Sequence, residues 1–295
     1  MRTLPNQNSG FTLVEMIVVM VITGIIGGMV AMFIRAPVQG YVDSSRRAEM
    51  VDIADTALRR LARDIRTAVP NSVRLTGSTV IEFLPTKTGG RYRANATGGA
   101  SGCAALAGDA DGDVLEFGVS DSCFGIIGTV SPVIIAGDYI VVGSTQSDGA
   151  PPYDETATGV LRAYDSINGN ATRIALAAPA ALPLFAELPS QRFQVIDGTQ
   201  QAVTYSCEND PNPVAAGDGP LRLMRHWHYW IGTGVIHAAY AAGGTSAMLA
   251  NHLSTCNIVY DAVSQRNGLV AITLEITRGG ESIRLYQEIH VNNVP

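Results

Sequence analysis

The longest apolar run in the chain extends from Phe11 to Ile34, and Glu15 is its only charged residue. As an α-helix rising about 1.5 Å per residue, this run is roughly 36 Å long, enough to cross a bilayer core of about 30 Å. A carboxylate near the start of such a helix is costly to place in lipid, so Glu15 needs a partner or a function. The pattern therefore predicts one transmembrane helix over residues 11–34.

A helical pattern continues beyond this run as an apolar stripe with spacings of three, four or seven residues. The stripe consists of Tyr41, Ala48, Val51, Ala54, Leu58, Leu61, Ile65 and Ala68. Pro37 is expected to kink the helix near residue 37, and Pro70 to end it. We therefore predict one helix over residues 11–69, transmembrane at first and then amphipathic, with its stripe packed against the remaining chain.

Residues 70–295 alternate short β-branched or aromatic runs with turn residues, which is typical of strands. Asp197-Gly198 and Asn267-Gly268 are expected to be hairpin turns, and Gly279-Gly280 to lead into a last, half-buried antiparallel strand. Strands are also predicted over residues 79–84, 113–119, 138–143 and 221–231, and surface loops over residues 88–113, 143–159 and 208–219. The predicted fold class is α+β, a long N-terminal helix packed on an antiparallel sheet in a β-rich head.

The net charge of −6 and the absence of a basic run in residues 70–295 argue against nucleic-acid binding. Four cysteines lie beyond the predicted transmembrane helix, and an even number on an exported side predicts two disulfides. Three connectivities are possible for four cysteines. We favour Cys103–Cys123 and Cys207–Cys256, because each closes a loop within one region.

Two clusters resemble metal sites only in part. His226 and His228 are expected on one side of a strand, but no third ligand follows at zinc-site spacing, and an aromatic packing strand fits better. Residues 109–113 resemble the start of a calcium loop, yet Val114 replaces the glycine and Ser120 the final glutamate. With no nucleophile elbow or phosphate loop either, we predict no catalytic, cofactor or metal site and no enzyme.

The residues Gly10-Phe11-Thr12-Leu13-Val14-Glu15 resemble the processing motif of type IV prepilins and type II secretion pseudopilins. The resemblance implies that a prepilin peptidase removes residues 1–10 as a leader and that the new N-terminus, Phe11, is methylated. It also implies an assembly role for Glu15, the fifth mature residue. An ordinary signal peptide has a shorter apolar core of about 7–15 residues. A plain signal anchor would leave Gly10 and Glu15 without a role.

Three further stretches, residues 63–74, 81–92 and 290–295, resemble the O-type minor pilins of mannose-sensitive haemagglutinin (MSHA) pilus biogenesis. This resemblance implies a head like that of the J-type pseudopilins. It also implies a single-pass inner-membrane protein with a periplasmic head before assembly and a place in the pilus, near its tip, afterwards.

Two functions from different classes stay open. The first is a minor pilin that helps to start a type IV pilus, with other minor pilins, the major pilin, an inner-membrane assembly platform and the lipid bilayer as partners. The second is a membrane-anchored adhesin or binding module that uses the head on a ligand. The two differ in a simple observation, because loss of an assembly subunit removes pili whereas loss of an adhesin leaves pili that do not bind.

Overall fold

The computed structural model describes residues 10–95, 103, 114–145, 151–155, 159–177, 181–229, 244–264 and 267–294. The chain forms two compact units, Met1–Val51 and Asp52–Pro295. One long helix, α1 (Leu13–Arg66), contributes residues to both units. Its helical assignment passes through Pro37 without a break, and a bend at that residue stays a prediction.

The strands in the described part of the chain all belong to the second unit. In chain order they are β1 (Arg74–Thr76), β2 (Val80–Phe83), β3 (Thr86–Tyr92), β4 (Cys123–Ile127), β5 (Tyr139–Val142), β6 (Leu161–Ala163), β7 (Arg173–Ala175), β8 (Arg192–Ile196), β9 (Val203–Asn209), β10 (Leu221–Trp227), β11 (Thr245–Ser264), β12 (Asn267–Arg278) and β13 (Glu281–Asn292). Short 3-10 helices occupy Pro151–Tyr153 and Leu184–Ala186. The predicted α+β class is confirmed, and every pair of these strands is antiparallel.

The larger sheet has seven strands in the order β1-β2-β9-β10-β11-β12-β13. The last turns of α1 are buried in the same unit, with Leu58, Leu61 and Ile65 at most 3% exposed. Asp64 joins this part of α1 to the sheet, because its Oδ2 accepts bonds from Tyr205 Oη and Arg225 Nε, both at 2.8 Å. The apolar stripe of α1 is therefore core from about residue 54 onward.

The smaller sheet has six strands in the order β6-β5-β8-β3-β4-β7, and it closes on itself. Its two edge strands meet where Tyr164 and Leu176 form a bridge and Asp165 N donates to Ala175 O at 2.9 Å. Every residue of β5 is buried, and alternate residues enter different core clusters. A strand covered on both faces is apolar along its whole length, which explains the run Tyr-Ile-Val-Val.

The predicted hairpin at Asp197-Gly198 is wrong, although both flanking strands are present. β8 pairs with β3 and β5 in the smaller sheet, whereas β9 pairs with β2 and β10 in the larger one. Gly198 N instead donates to Asp138 Oδ1 at 3.0 Å, which ties this turn to the residue before β5. Residues 197 and 198 suit a turn because of their own backbone preferences. Which strands pair on either side of that turn depends on residues far away in the chain.

Glycine pairs caused two further errors. Gly89-Gly90, predicted in a loop, lies inside β3, where a Cβ on Gly89 would come within 2.8 Å of Phe193 O. The hairpin predicted at Asn267-Gly268 is present as β11 and β12, but Asn267 already pairs with Ser264, so these two residues open β12 instead of forming the turn. A Cβ on Gly268 would meet the Tyr260 ring at 2.5 Å. Both glycines lie where a neighbouring group approaches the strand closely, which is a reason for glycine inside a sheet that differs from its role in turns.

Two other segments also differ from expectation. Residues 114–119 form no strand, because Asp121 takes the Glu116 N–H at 2.8 Å and only Phe117 makes an isolated bridge, to Leu182. Tyr153, predicted in a surface loop, is 1% exposed, and its hydroxyl donates to Ser72 O at 2.9 Å. Predicted strand 221–231 is present as far as Trp227.

Candidate functional site

The N-terminal end of α1 is built from Thr12 and Glu15. Glu15 N donates to Thr12 Oγ1 at 3.3 Å, and Thr12 N donates to Glu15 Oε2 at 3.3 Å. Thr12 Oγ1 also donates to Glu15 Oε2 at 3.2 Å. This reciprocal arrangement is a capping box, in which a threonine before the helix and a glutamate three residues later satisfy backbone donors at the helix start. The start of its own helix therefore supplies some of the hydrogen bonds that the buried charge of Glu15 would need in lipid.

Only one oxygen of the Glu15 carboxylate takes part in these bonds. All of them use Oε2, so Oε1 can accept a further donor. The side chain also lies in the first turn, where the helix dipole favours a negative charge. Phe11, one residue before the cap, is 83% exposed, and a Cβ on Gly10 would meet nothing within 4 Å. The Gly10–Phe11 peptide bond is thus open on the described structure.

The helix behind this cap has the surface of a transmembrane segment. The most apolar part of the helix is not buried anywhere in the described protein. Large apolar side chains are exposed along the run, including Met20 at 67% and Phe33 at 82%. By length and composition the helix can cross a bilayer, and a helix that is apolar on all sides needs such surroundings.

Both favoured cysteine pairs are bonded in the structure. Cys103 is joined to Cys123 at the start of β4, with a Cα–Cα distance of 5.5 Å. Cys207 in β9 is joined to Cys256 in β11, with a Cα–Cα distance of 6.3 Å. Both distances lie in the usual range for disulfides. Formation of these bonds after export stays a prediction.

The two histidines of β10 and its end do not share a face. His226 is buried, and its Nε2 lies 2.9 Å from Ser206 Oγ. His228 follows the strand with a φ of 60°, and its Nδ1 lies 2.8 Å from Thr199 O. The positive φ turns the second ring away from the strand, so the expectation of one shared face is wrong. Among the described residues no cluster of three metal-ligating side chains occurs, and residues 109–113 lie outside them.

A buried carboxylate that the sequence analysis missed lies in β2. Glu82 is 1% exposed, and its Oε1 accepts a bond from Arg74 Nε at 2.7 Å. Its Oε2 accepts bonds from Thr204 Oγ1 at 3.1 Å and Tyr229 Oη at 2.9 Å. Burial, followed by the nearby Glu82 charge, raises the pKa of Tyr229, which keeps its hydroxyl a donor. The only sequence signal was a glutamate between apolar residues of a strand.

The Glu82 cluster joins several separate segments of the head. The Arg74 guanidinium stacks 3.5 Å from the centre of the Tyr153 ring, and Tyr153 donates in turn to the backbone before β1. β2, β9 and the end of β10 thus share one polar centre with the 3-10 helix at residue 153. Every polar atom named here has a partner, as a buried charge requires. We assign this cluster to fold stability.

Two clefts in the described part of the head are open to a ligand. The larger, about 510 Å³, lies beside Tyr92, Phe117, Leu188 and Gln191. The smaller, about 240 Å³, lies between the 130–134 segment and the turn at residues 166–171. Both clefts combine apolar and polar side chains, but neither has a catalytic arrangement of them.

Comparison with known families gives one match, to the prokaryotic N-terminal methylation motif, over residues 5–32. No curated protein and no solved structure matches the chain. The match supports a type IV pilin-like or pseudopilin-like subunit that is anchored by one membrane helix, processed by prepilin peptidase and assembled with other pilins. Such subunits are structural proteins rather than enzymes. The match ends at residue 32, so it carries no information about the head.

Proposed function

We propose that the chain is a minor pilin that helps to initiate a type IV pilus of the MSHA kind and acts near the tip of the fibre. The proposal rests on the start of α1, where the motif residues and the capping carboxylate of Glu15 lie together. A methylation motif, a lone carboxylate on an apolar helix and a separate β-rich unit occur together in one chain.

The proposed processing site is the Gly10–Phe11 bond. A dedicated prepilin peptidase removes residues 1–10, and the same machinery methylates the new amine of Phe11. Gly10 has no side chain, so a protease can approach its backbone closely. Cleavage leaves a positive charge one residue before the cap, next to the first turn of the helix.

Glu15 is the proposed assembly carboxylate. Its Oε2 closes the capping box, and Oε1 is directed to no donor in the described structure. The N-terminal amine of a neighbouring subunit, or its own, can supply that donor. Two opposite charges placed together cost less in lipid than either one alone. The helix cap and the proposed assembly contact therefore use different oxygens of the Glu15 carboxylate.

A place near the tip follows from the head and from Glu15 together. A head with two sheets is bulky for a unit repeated along a shaft, which favours a few copies at one end. A topmost subunit has no neighbour above it and no need for the carboxylate, so Glu15 indicates another subunit on top. The proposed neighbours are other minor pilins and the major pilin. The subunit is proposed to join the fibre at the assembly platform in the inner membrane.

Deleting the gene and counting surface pili tests the assembly function, and substitutions at the cap separate its two components. Glu15→Leu removes cap and charge, Thr12→Ala removes the cap alone, and Glu15→Gln keeps a capping side chain without its charge. We expect stable membrane protein in all three variants, fewer pili with both Glu15 variants, and nearly normal numbers with Thr12→Ala. Normal pili in the deletion strain, or in Glu15→Gln, would contradict the proposal.

Labelling on isolated pili tests the position. We expect a label on this chain at one end of the fibre, and crosslinks to other minor pilins more often than to shaft subunits. An even distribution along the shaft would exclude a place near the tip.

The second candidate function, a pilus-associated adhesin or binding module, has one observation in its favour. The cleft of about 510 Å³ beside Tyr92 and Phe117 is large enough for a small ligand. For an adhesin, the deletion strain would assemble pili in normal number that fail to bind their target. The same pilus count therefore separates the two candidates.

A further inference from the structure

The edge strands of the two sheets differ greatly in length and in whether they have a neighbour. β6 and β7, the edge strands of the smaller sheet, have three residues each and meet each other. β1, one edge of the larger sheet, also has three residues. β13, the other edge, has twelve, and its pairing with β12 runs without a register shift. Proteins usually keep edge strands short or irregular because a long regular edge offers a template for another strand.

The alternation of hydrogen bonds shows which β13 groups face outward. Gly279 and Gly280 have φ values of 60° and 79°, so they form a tight two-residue turn between Arg278 and Glu281. The residues flanking such a turn bond to each other, and every second residue along β13 bonds to β12 in the same way. The others direct both backbone groups away from the sheet: Ser282, Arg284, Tyr286, Glu288, His290 and Asn292. Within the described part of the chain no strand pairs with them.

The side chains of these same residues are all exposed, and Arg284 and Glu288 are the charged ones among them. The strand contains no proline, no lysine and no bulge, the usual devices against edge pairing. Tyr286, at its centre, is 60% exposed, and its hydroxyl donates to Glu288 Oε1. A large aromatic group at the middle of an open edge favours contact with another strand.

The order of charges along β13 is self-complementary. When two copies pair antiparallel with Tyr286 opposite Tyr286, Arg284 of each copy lies opposite Glu288 of the other. The same register places Ser282 opposite His290, so no like charges meet. On the other face it places Ile283 opposite Ile289. Opposite charges and aromatic pairs directly across an antiparallel pair stabilise it.

We propose that β13 is a docking edge for a second copy of this chain, joined antiparallel about Tyr286 into one continuous sheet across both heads. Tyr286 lies near the middle of the strand, so this register uses nearly its whole length and forms about ten new backbone hydrogen bonds. The inference rests on the head alone and does not depend on the proposed pilus function.

Single cysteines in the full-length chain test the register in its own membrane. Residues that face each other in such a pair have Cα atoms about 5.5 Å apart, within disulfide range. Tyr286→Cys faces itself and should give an oxidised dimer at twice the chain mass on a non-reducing gel. Ser282→Cys is the matched control, since its mate across the two-fold axis is about 27 Å away at roughly 3.4 Å per residue. Equal crosslinking of both variants, or of neither, would overturn the proposal.

Charge reversal provides a second, independent measurement on the detergent-solubilised chain. Glu288→Arg places arginine opposite arginine twice and should weaken dimerisation about tenfold in sedimentation velocity. Adding Arg284→Glu restores opposite charges and should restore most of the affinity. Asp261→Arg, an exposed site on the inner strand β11, changes net charge equally and should have no effect. A monomer at all concentrations, or an edge crosslinked only to a different protein, would show that a second copy is not the occupant.

Discussion

Glu82 shows how much one residue can contribute to the head. Its side chain is 1% exposed and joins Arg74, Thr204 and Tyr229. We expect Glu82→Ala to reduce the free energy of unfolding by about 3–5 kcal/mol, since it leaves the partly buried Arg74 and the buried hydroxyls of Thr204 and Tyr229 without their carboxylate. Thermal unfolding of the solubilised chain, followed by tryptophan fluorescence, measures this loss.

The matched control is Glu208→Ala, which breaks a more exposed pair with Arg222. The side chains of that pair are 32% and 23% exposed, so the expected loss is at most about 1 kcal/mol. Equal losses at both positions would mean that burial of the Glu82 pair has no special weight.

His226 makes the stability of the head depend on pH. Burial lowers its pKa, Arg222 lowers it further, and Glu208 opposes both. Above the pKa of the unfolded chain, about 6.5, the ring is neutral in both states. Below it the unfolded chain binds a proton that the folded chain does not, so stability falls until the pH reaches the folded pKa. We expect the melting temperature to fall more steeply below pH 6.5 in the native chain than in His226→Gln, and parallel curves would refute this.

The Gly10–Phe11 bond is the residue-level test of processing. We expect mass spectrometry of the membrane-purified protein to find Phe11 at the N-terminus, carrying a methyl group, because Gly10 leaves the bond accessible. A strain without prepilin peptidase is the control and should keep Met1. An intact Met1 in the strain with active peptidase would exclude this cleavage site.

Among the strands, β3 and β8 depend on glycine for their close approach. A Cβ at Gly89 would lie 2.8 Å from Phe193 O, a backbone atom that cannot turn aside. We expect Gly89→Ala to cost about 1–3 kcal/mol in unfolding free energy by overpacking. Denaturant titration measures the cost, with Arg91→Ala as control, since Arg91 is an exposed residue of the same strand and that change adds no atom. A stable Gly89→Ala variant would mean that the two strands can separate without penalty.

For the whole chain, the disulfides limit how far the unfolded state can expand. The sequence separations of 20 and 49 residues correspond to about 3 and 4 kcal/mol of loop-closure entropy. Non-reducing peptide mapping of the exported protein should find Cys103–Cys123 and Cys207–Cys256. Replacing Cys207 and Cys256 by serine should lower the melting temperature more than replacing the other pair. Crossed pairs or free thiols would refute the assignment.

The features that the sequence predicted correctly depend on neighbours a few residues apart. The helix follows from its apolar spacing, because side chains three and four residues apart lie on one face. The last hairpin follows from Gly279-Gly280 and the alternation of β12, where Val270, Ile272 and Leu274 are fully buried. Such patterns act within one element, so the sequence expresses them directly.

The features that were missed depend on contacts between residues far apart in the chain. β8 and β9 look like a hairpin, but β8 pairs with β3 and β5 because its side chains complete the smaller sheet. Gly89 looks like a loop residue until Phe193 lies against it, and Glu82 looks exposed until Arg74 and Tyr229 surround it. Local preference cannot select among strand partners, because the free energy of each pairing comes from the surface that the completed core buries. The position of β13 at the edge of the larger sheet is likewise set by the order of the strands, which only the folded structure shows.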